Sequence, residues 1–131
     1  MSEAAIKGDK FLFFCYGTLM RDGVRNRAIK DQDFVREAKT TAECQLLDLG
    51  SFPGLVRVDA DGRQVHGELW EVSTNRIPLL DQIEGAPVLY RMETVNIEGE
   101  EQPVYTYFFK LRAKHGNAPV LEGNRWDNKR K

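Results

Sequence analysis

The sequence contains few of the cysteines and histidines that build disulfide frameworks and metal centres, and it has no excess of positive charge. Its 131 residues include two cysteines and two histidines, too few for a disulfide framework. Neither His66 nor His115 has a spacing typical of a metal ligand. The formal net charge of −1 gives no basic excess, so the chain lacks the electrostatic surface that attracts phosphate backbones. We expect no bound metal and no nucleic-acid partner.

Long apolar runs are also missing. The run Phe11–Cys15 has five consecutive apolar residues, far short of the roughly 20 that cross a bilayer. The segment Met1–Lys10 is polar and mixed in charge, unlike a signal or transit peptide. We expect a cytoplasmic protein with reduced thiols, no membrane partner and a single domain over residues 1–131. No heptad or unassigned apolar helix face is present, which predicts a monomer.

The residues that are present predict a strand-rich α+β domain. Phe11–Cys15 is typical of a strand buried on both faces. Residues 33–50 indicate one long strand or two short ones, and residues 55–72 a hairpin about Asp61-Gly62. Residues 90–111 predict a second hairpin with its turn near Gly99. The polar tail after residue 112 is expected to lie on the surface, anchored by Trp126.

One segment, residues 73–85, has residues that are typical of the start and the end of a helix. Ser73, Thr74 or Asn75 can cap its start, Pro78 suits the first turn and Gly85 can end it. Its apolar stripe consists of Ile77, Leu80 and Ile83, with Leu79 nearby.

Glu84 is the side chain whose position best suits acid–base chemistry. It directly precedes Gly85 and follows Ile83 of the apolar stripe. The negative end of the helix dipole and partial burial would both raise the pKa of this carboxyl toward neutrality, where a general base works best. Asp81, three residues earlier, could pair with it or point to water. The alternative for Glu84 is a surface carboxylate at a fraying helix end.

Other reactive side chains have no partner that the sequence identifies. Cys15 has apolar neighbours, which would raise its thiol pKa, and no assignable histidine. It is therefore interpreted as a packed core cysteine. Ser51 in GSFPG lacks the surroundings of a hydrolase nucleophile and is interpreted as a turn residue.

Four short segments occur in an order and spacing that is more specific than any of them alone. They are YGTL at residues 16–19, GSFPGLV at 50–56, VHGELWEV at 65–72 and LDQIEGAPVLY at 80–90. Together they resemble the gamma-glutamylcyclotransferase-like family over nearly the whole chain, from Phe11 to Trp126. The short length is more similar to the gamma-glutamylamine cyclotransferase branch than to the longer, glutathione-degrading branch.

The resemblance implies both a fold and a site. The fold would be a small mixed β-barrel, closed or nearly closed, with flanking helices and a cavity at one end. The family's catalytic carboxylate falls on Glu84 of this sequence. Its anion-binding loop falls on Tyr16, Gly17, Thr18 and Leu19.

The implied reaction is an intramolecular cyclisation of a small gamma-glutamyl substrate to 5-oxoproline, with release of an amine or amino acid. The substrate supplies its own nucleophile, so no cofactor or metal is required. Glu84 would act as general acid and base, while the N–H groups of residues 17–19 and the Thr18 hydroxyl hold the α-carboxylate or the developing oxyanion. Tyr16 is either a pocket wall or a core aromatic, and Tyr90 is a weaker candidate for the rim.

One position departs from the family pattern. The family commonly has an arginine two residues after the tyrosine of the last segment, but here Arg91 directly follows Tyr90 and Met92 takes the usual place. In a strand, a shift of one residue turns the arginine to the other face. Two further interpretations therefore stay open: a non-catalytic binding module for small carboxylates, and a protein-interaction surface on the hairpins.

Overall fold

The computed structural model describes residues 8–110 and 118–129. The predictions about residues 1–7, His115 and the ends of the tail lie outside these residues. The strands and the α-helix of the described residues are β1 (Lys10–Cys15), β2 (Asp33–Lys39), β3 (Cys44–Asp48), β4 (Pro53–Arg57), β5 (His66–Ser73), α1 (Ile77–Glu84), β6 (Tyr90–Thr94) and β7 (Val104–Phe109).

Five strands form a mixed sheet in the order β2-β5-β1-β7-β6. The central strand β1 pairs antiparallel with β5 and parallel with β7. Both of its faces are covered, which explains why its sequence is apolar without alternation. Phe13 and Phe14, which point to opposite faces, are 1% and 0% exposed. The prediction of a doubly buried strand at Phe11–Cys15 is confirmed.

The sheet is open, which corrects the predicted closed barrel. Its edges are β2 and β6, which do not pair with each other. Thr40 and Ile97, just beyond those strands, form only an isolated bridge. After β2 the chain leaves the sheet to build a separate antiparallel pair, β3 and β4. The predicted flanking helices reduce, among the described residues, to α1 and short 3-10 turns.

The two-stranded sheet packs against β7, and Gly54 of β4 makes this contact possible. A Cβ atom at Gly54 would lie 2.8 Å from Phe109 Cβ, closer than two carbon atoms can approach. The two sheets are thereby held together beside the C-terminal end of β1, where residues of β4 and β7 both face a cavity.

The predicted hairpin over residues 55–72 is wrong, because β4 pairs with β3 whereas β5 pairs with β1 and β2. The chain does bend at residues 59–61, where Asp61 has a φ of 62°. This bend lies against β3, where Gln45 Nε2 donates a hydrogen bond to the Asp61 carbonyl at 3.1 Å. The local turn signal was correct, but the strand partner is decided by tertiary packing that a short sequence window does not contain.

The other local predictions are largely confirmed. The β6–β7 hairpin forms, and residues 33–50 contain two strands, β2 and β3. Helix α1 ends at Gly85, whose φ of 68° is a left-handed cap. No side chain caps its start, because a 3-10 turn over Thr74–Arg76 leads into it. Trp126 is buried, as expected of an anchor. No helix in the described part of the chain is long and apolar enough to cross a membrane.

Candidate functional site

A cavity of about 100 Å³ opens beside the C-terminal end of β1. Its walls come from β1 and the following loop, the start of β4, the end of α1, the start of β6 and the middle of β7. All six residues that the sequence singled out line this one cavity: Tyr16, Gly17, Thr18, Leu19, Glu84 and Tyr90. The fold thus brings together positions that are up to 74 residues apart, counted from Tyr16 to Tyr90.

The loop after β1 lines the cavity and contains backbone N–H groups that have no acceptor among the described residues. It begins with a tight turn in which the Met20 N–H donates to the Gly17 carbonyl at 3.1 Å. The N–H groups of Gly17, Thr18 and Leu19 donate to no atom of the described residues. Successive unpaired N–H groups in a turn form a concave site suited to a carboxylate or an oxyanion.

The Thr18 carbonyl, on the outer side of this loop, is enclosed by the chain that follows it. The Arg25 N–H donates to that oxygen at 2.9 Å. Gly23 lies against it so closely that a Cβ atom there would be 2.0 Å from the oxygen. Only a glycine fits at this position without moving the loop backbone.

Gly23→Ala is therefore expected to displace the loop, raising KM about tenfold or more and costing about 1–3 kcal/mol of stability. Gly99→Ala is a matched control, since Gly99 has open space around it and costs only backbone strain at its φ of 79°. Steady-state kinetics and urea denaturation of both variants test this. Equal KM values for the two variants would contradict it.

Asn128 fixes the loop from the opposite end of the chain. Its Nδ2 donates to the Gly17 carbonyl at 3.1 Å and to Asp22 Oδ1 at 2.9 Å. No sequence pattern indicates this contact, because Asn128 is one polar residue in a mixed-charge tail. The segment around Trp126 therefore does more than cover the surface; it braces the cavity loop.

The buried carboxylate of Glu68 supports the same loop through Arg21. Glu68 on β5 is 3% exposed. It accepts hydrogen bonds from the Arg21 N–H at 2.9 Å, Arg21 Nε at 3.0 Å and Trp70 Nε1 at 3.2 Å. The Arg21 guanidinium also stacks 3.8 Å from the centre of the Phe34 ring. Sequence reasoning missed Glu68; the signal was a charged residue in the apolar part of VHGELWEV.

Glu84 sits at the last position of α1 and is half-buried in the cavity wall. Burial raises the pKa of its carboxyl to about 7, and the nearby Arg25 charge partly opposes that rise. No described residue donates a hydrogen bond to the carboxylate. A half-protonated, unpaired carboxyl at neutral pH can both accept and donate a proton.

Asp81 does not join Glu84 as a second cavity carboxylate. It is half-buried and accepts a hydrogen bond from Tyr107 Oη at 2.6 Å. The expectation that it points to water is therefore wrong. The bond ties the middle of α1 to β7, which helps to hold the helix end that carries Glu84.

Tyr16 and Tyr90 serve as walls. Tyr16 Oη donates to the Tyr107 carbonyl at 2.7 Å and accepts from the Leu55 N–H at 3.3 Å. Tyr90 Oη donates to the Pro53 carbonyl at 2.7 Å. Burial raises the pKa of both phenols above its ordinary value. Both hydroxyls are committed to backbone groups, so these rings shape the cavity and join its sheets.

Arg91 faces away from the cavity. It is exposed and forms an ion pair with Glu93, with 2.6 Å between Nε and Oε2, whereas Met92 is buried. The expected consequence of the one-residue shift is confirmed. The cation at the cavity is instead Arg25, which the sequence analysis did not single out. Among the described lining residues, Arg25 and Glu84 carry the charged side chains.

Cys15 also lines the cavity, but burial raises the pKa of its thiol well above the ordinary value. It is a packed core cysteine, as predicted. His66 is exposed at the start of β5. Within residues 8–110 and 118–129, no three His, Cys, Asp or Glu side chains gather as a metal site requires.

Comparison with known proteins agrees with this arrangement. The family described as gamma-glutamyl cyclotransferase, AIG2-like, matches residues 13–128. A Vibrio cholerae protein with a provisional gamma-glutamylcyclotransferase name is 34% identical over 97 residues, which cover 73% of this chain and 81% of that protein. Human gamma-glutamylaminecyclotransferase is 28% identical over 106 residues, covering 70% and 69%. An AIG2-like protein from Mus musculus shares the fold, with a TM-score of 0.80 at 20% identity over 93% of this chain and 91% of its own. The chain belongs to the AIG2-like gamma-glutamyl cyclotransferase family.

Proposed function

We propose that this protein cyclises the gamma-glutamyl group of a small substrate to 5-oxoproline and releases an amine or amino acid. One observation carries the proposal: a half-buried Glu84 with a pKa of about 7 shares a cavity with the unpaired N–H groups of residues 17–19. A base for an ammonium proton and donors for a charged oxygen are the two components that this reaction needs.

Glu84 carries a proton from the substrate ammonium to the leaving nitrogen. Its carboxylate takes a proton from the substrate α-ammonium, and the freed nitrogen attacks the carbonyl carbon of the side-chain amide to close the five-membered ring. The protonated Glu84 then gives its proton to the leaving nitrogen as the original C–N bond breaks. The ring nitrogen loses its second proton to the released amine, which departs as an ammonium ion. The carboxylate is thereby regenerated for the next substrate.

Orientation supplies much of the rate. Because nucleophile and electrophile belong to one molecule, a cavity that holds the chain folded can contribute about 7–11 kcal/mol. The buried walls of Phe13, Tyr16 and Tyr107 suit the apolar methylenes of a glutamyl group. Such a reaction has no requirement for a protein nucleophile, a metal or an organic cofactor. The unpaired N–H groups of residues 17–19 suit either the α-carboxylate or the oxyanion.

A panel of gamma-glutamyl amines and gamma-glutamyl amino acids tests this function. We expect 5-oxoproline from at least one class, measured by chromatography and mass spectrometry. Well-folded protein that leaves every member untouched would contradict the proposal.

The second candidate, a non-catalytic module for small carboxylates, is favoured by the outward position of Arg91. It predicts saturable binding of glutamate-like acids, measured by calorimetry, with no product after long incubation. The two candidate functions therefore predict different results for the same substrate panel: 5-oxoproline in the first case, and binding without product in the second.

The pH dependence should report Glu84. As a base it must lose its proton, so kcat/KM is expected to rise with pH and level off above about 7. The pH profile of Glu84→Asp should keep this shape, whereas any residual activity of Glu84→Gln should lose the inflection. A flat wild-type profile between pH 5.5 and 8 would contradict the assignment.

The same group affects stability with a defined sign. Its folded pKa, about 7, lies above the ordinary 4.5, so its favourable contribution is complete below pH 4.5 and is lost as pH rises through 7. For a half-buried carboxyl we expect a loss of roughly 2 kcal/mol from this group. Urea denaturation at pH 5 and pH 8 should show this difference in wild type, reduced in Glu84→Gln. An identical pH dependence in both proteins would contradict it.

A further inference from the structure

We infer that Arg25 is a specificity-determining residue, which directs the cavity toward gamma-glutamyl substrates whose leaving amine carries a carboxylate next to its nitrogen. Such leaving groups are amino acids or peptides, as opposed to neutral amines or amides. The inference rests on the proposed function and names the substrate class of the same site.

Arg25 lies at the mouth of the cavity. The deep walls, such as Phe13 and Tyr107, are buried, whereas Arg25 and Leu89 are exposed and mark the mouth. We place the glutamyl group against the buried walls of this cavity, which has a volume of about 100 Å³. The leaving group must then project through the mouth, where the Arg25 guanidinium lies.

Hydrogen bonds hold both the backbone and the side chain of Arg25 in place. Its N–H donates to the Thr18 carbonyl at 2.9 Å, and its Nη1 to the Ile83 carbonyl at 3.4 Å. The next residue, Asn26, donates through Nδ2 to the Leu19 carbonyl at 2.9 Å. Arg25 therefore bridges the anion-binding loop and the end of α1 across the mouth. Its remaining guanidinium donors find no acceptor among the described residues, which leaves them for a ligand.

The charges of Glu84 and Arg25 also favour a leaving group that carries a carboxylate. Glu84 must reach the leaving nitrogen to protonate it, so a carboxylate one carbon from that nitrogen lies within a few ångströms of Glu84. Two carboxylates this close repel each other unless a cation lies between or beside them. Arg25 is close enough to lower the pKa of Glu84. A carboxylate on the leaving group would therefore meet a guanidinium, whereas a neutral amine would leave it unused.

A matched substrate pair tests the inference. Gamma-glutamyl-alanine and gamma-glutamyl-alaninamide have nearly the same shape, but only the first has a charged leaving group. We expect wild type to prefer the acid in kcat/KM by about 10- to 100-fold. Arg25→Gln should lose that preference through a higher KM for the acid, with the amide changed less than about threefold. Arg25→Lys should keep part of the preference, and high salt should reduce it in wild type.

Arg27→Gln is the control variant, because Arg27 is an exposed arginine two residues away that does not line the site cavity. It should keep the wild-type preference, and thermal melting should show that Arg25→Gln and Arg27→Gln are folded. An equal loss on acid and amide in Arg25→Gln, or no loss on the acid, would overturn the role of Arg25 while leaving the proposed function intact. No 5-oxoproline from either substrate or the wider panel would overturn both.

Discussion

Glu84→Gln is expected to lower kcat by about 10²- to 10⁴-fold, the range that a positioned acid–base group contributes. The amide keeps the shape of the side chain but can neither take the ammonium proton nor return it to the leaving nitrogen. Because burial already disfavours the ionised carboxyl, the neutral glutamine should not destabilise the fold. The measurement is 5-oxoproline release under saturating substrate, with thermal melting alongside.

Two variants frame that result. Glu101→Gln makes the same chemical change at an exposed residue outside the cavity lining and should retain full activity. Glu84→Asp keeps the carboxyl but shortens its reach, so its activity should fall between wild type and Glu84→Gln. If Glu84→Gln kept more than about a tenth of the wild-type kcat, Glu84 would not be the proton carrier.

Glu68→Ala is expected to lower the free energy of unfolding by about 2–4 kcal/mol, the largest stability loss among these variants. It removes the acceptor of three hydrogen bonds and leaves the Trp70 Nε1 donor without its partner. The Arg21 side chain, whose exposed fraction is 47%, can recover water, which keeps the cost below that of a fully stranded charge. The loop that begins at Gly17 should also loosen, raising KM.

Glu37→Ala is the matched control, because Glu37 binds the same Arg21 at 3.2 Å but is 63% exposed. A surface ion pair of this kind contributes about 1 kcal/mol or less. Urea denaturation of both variants, with KM measured in parallel, separates the two partners of Arg21. Similar losses for Glu68→Ala and Glu37→Ala would show that Glu68 does not support the loop.

Features encoded in a few adjacent residues could be predicted from the sequence. β1 follows from an unbroken apolar run, the β6–β7 hairpin from alternating residues about a glycine turn, and the end of α1 from Gly85. The position of Glu84 follows from that helix end, since a carboxylate just before the cap borders both helix dipole and core. These elements can be predicted from adjacent residues alone, without knowing which distant residues they contact.

Features that depend on distant partners could not be predicted. β4 has the same turn signal whether it pairs with β3 or β5, and packing against β7 decides the outcome. The Glu68 bonds to Arg21 span 47 residues, and the Asn128 bond to Gly17 spans 111. The apolar neighbours of Glu68 indicate burial but do not identify its partner, and Asn128 is indistinguishable in a single sequence from a solvated polar residue. Arg25 was missed for the same reason.

The central claim is that the cavity performs cyclisation rather than hydrolysis or binding alone. The most direct test is to quantify 5-oxoproline, glutamate and released amine from the best substrate of the panel. We predict 5-oxoproline and amine in equal amounts with no glutamate, because the substrate amine, and not water, attacks the carbonyl. Glutamate as the product, or no product from folded protein that binds the substrate, would contradict the account.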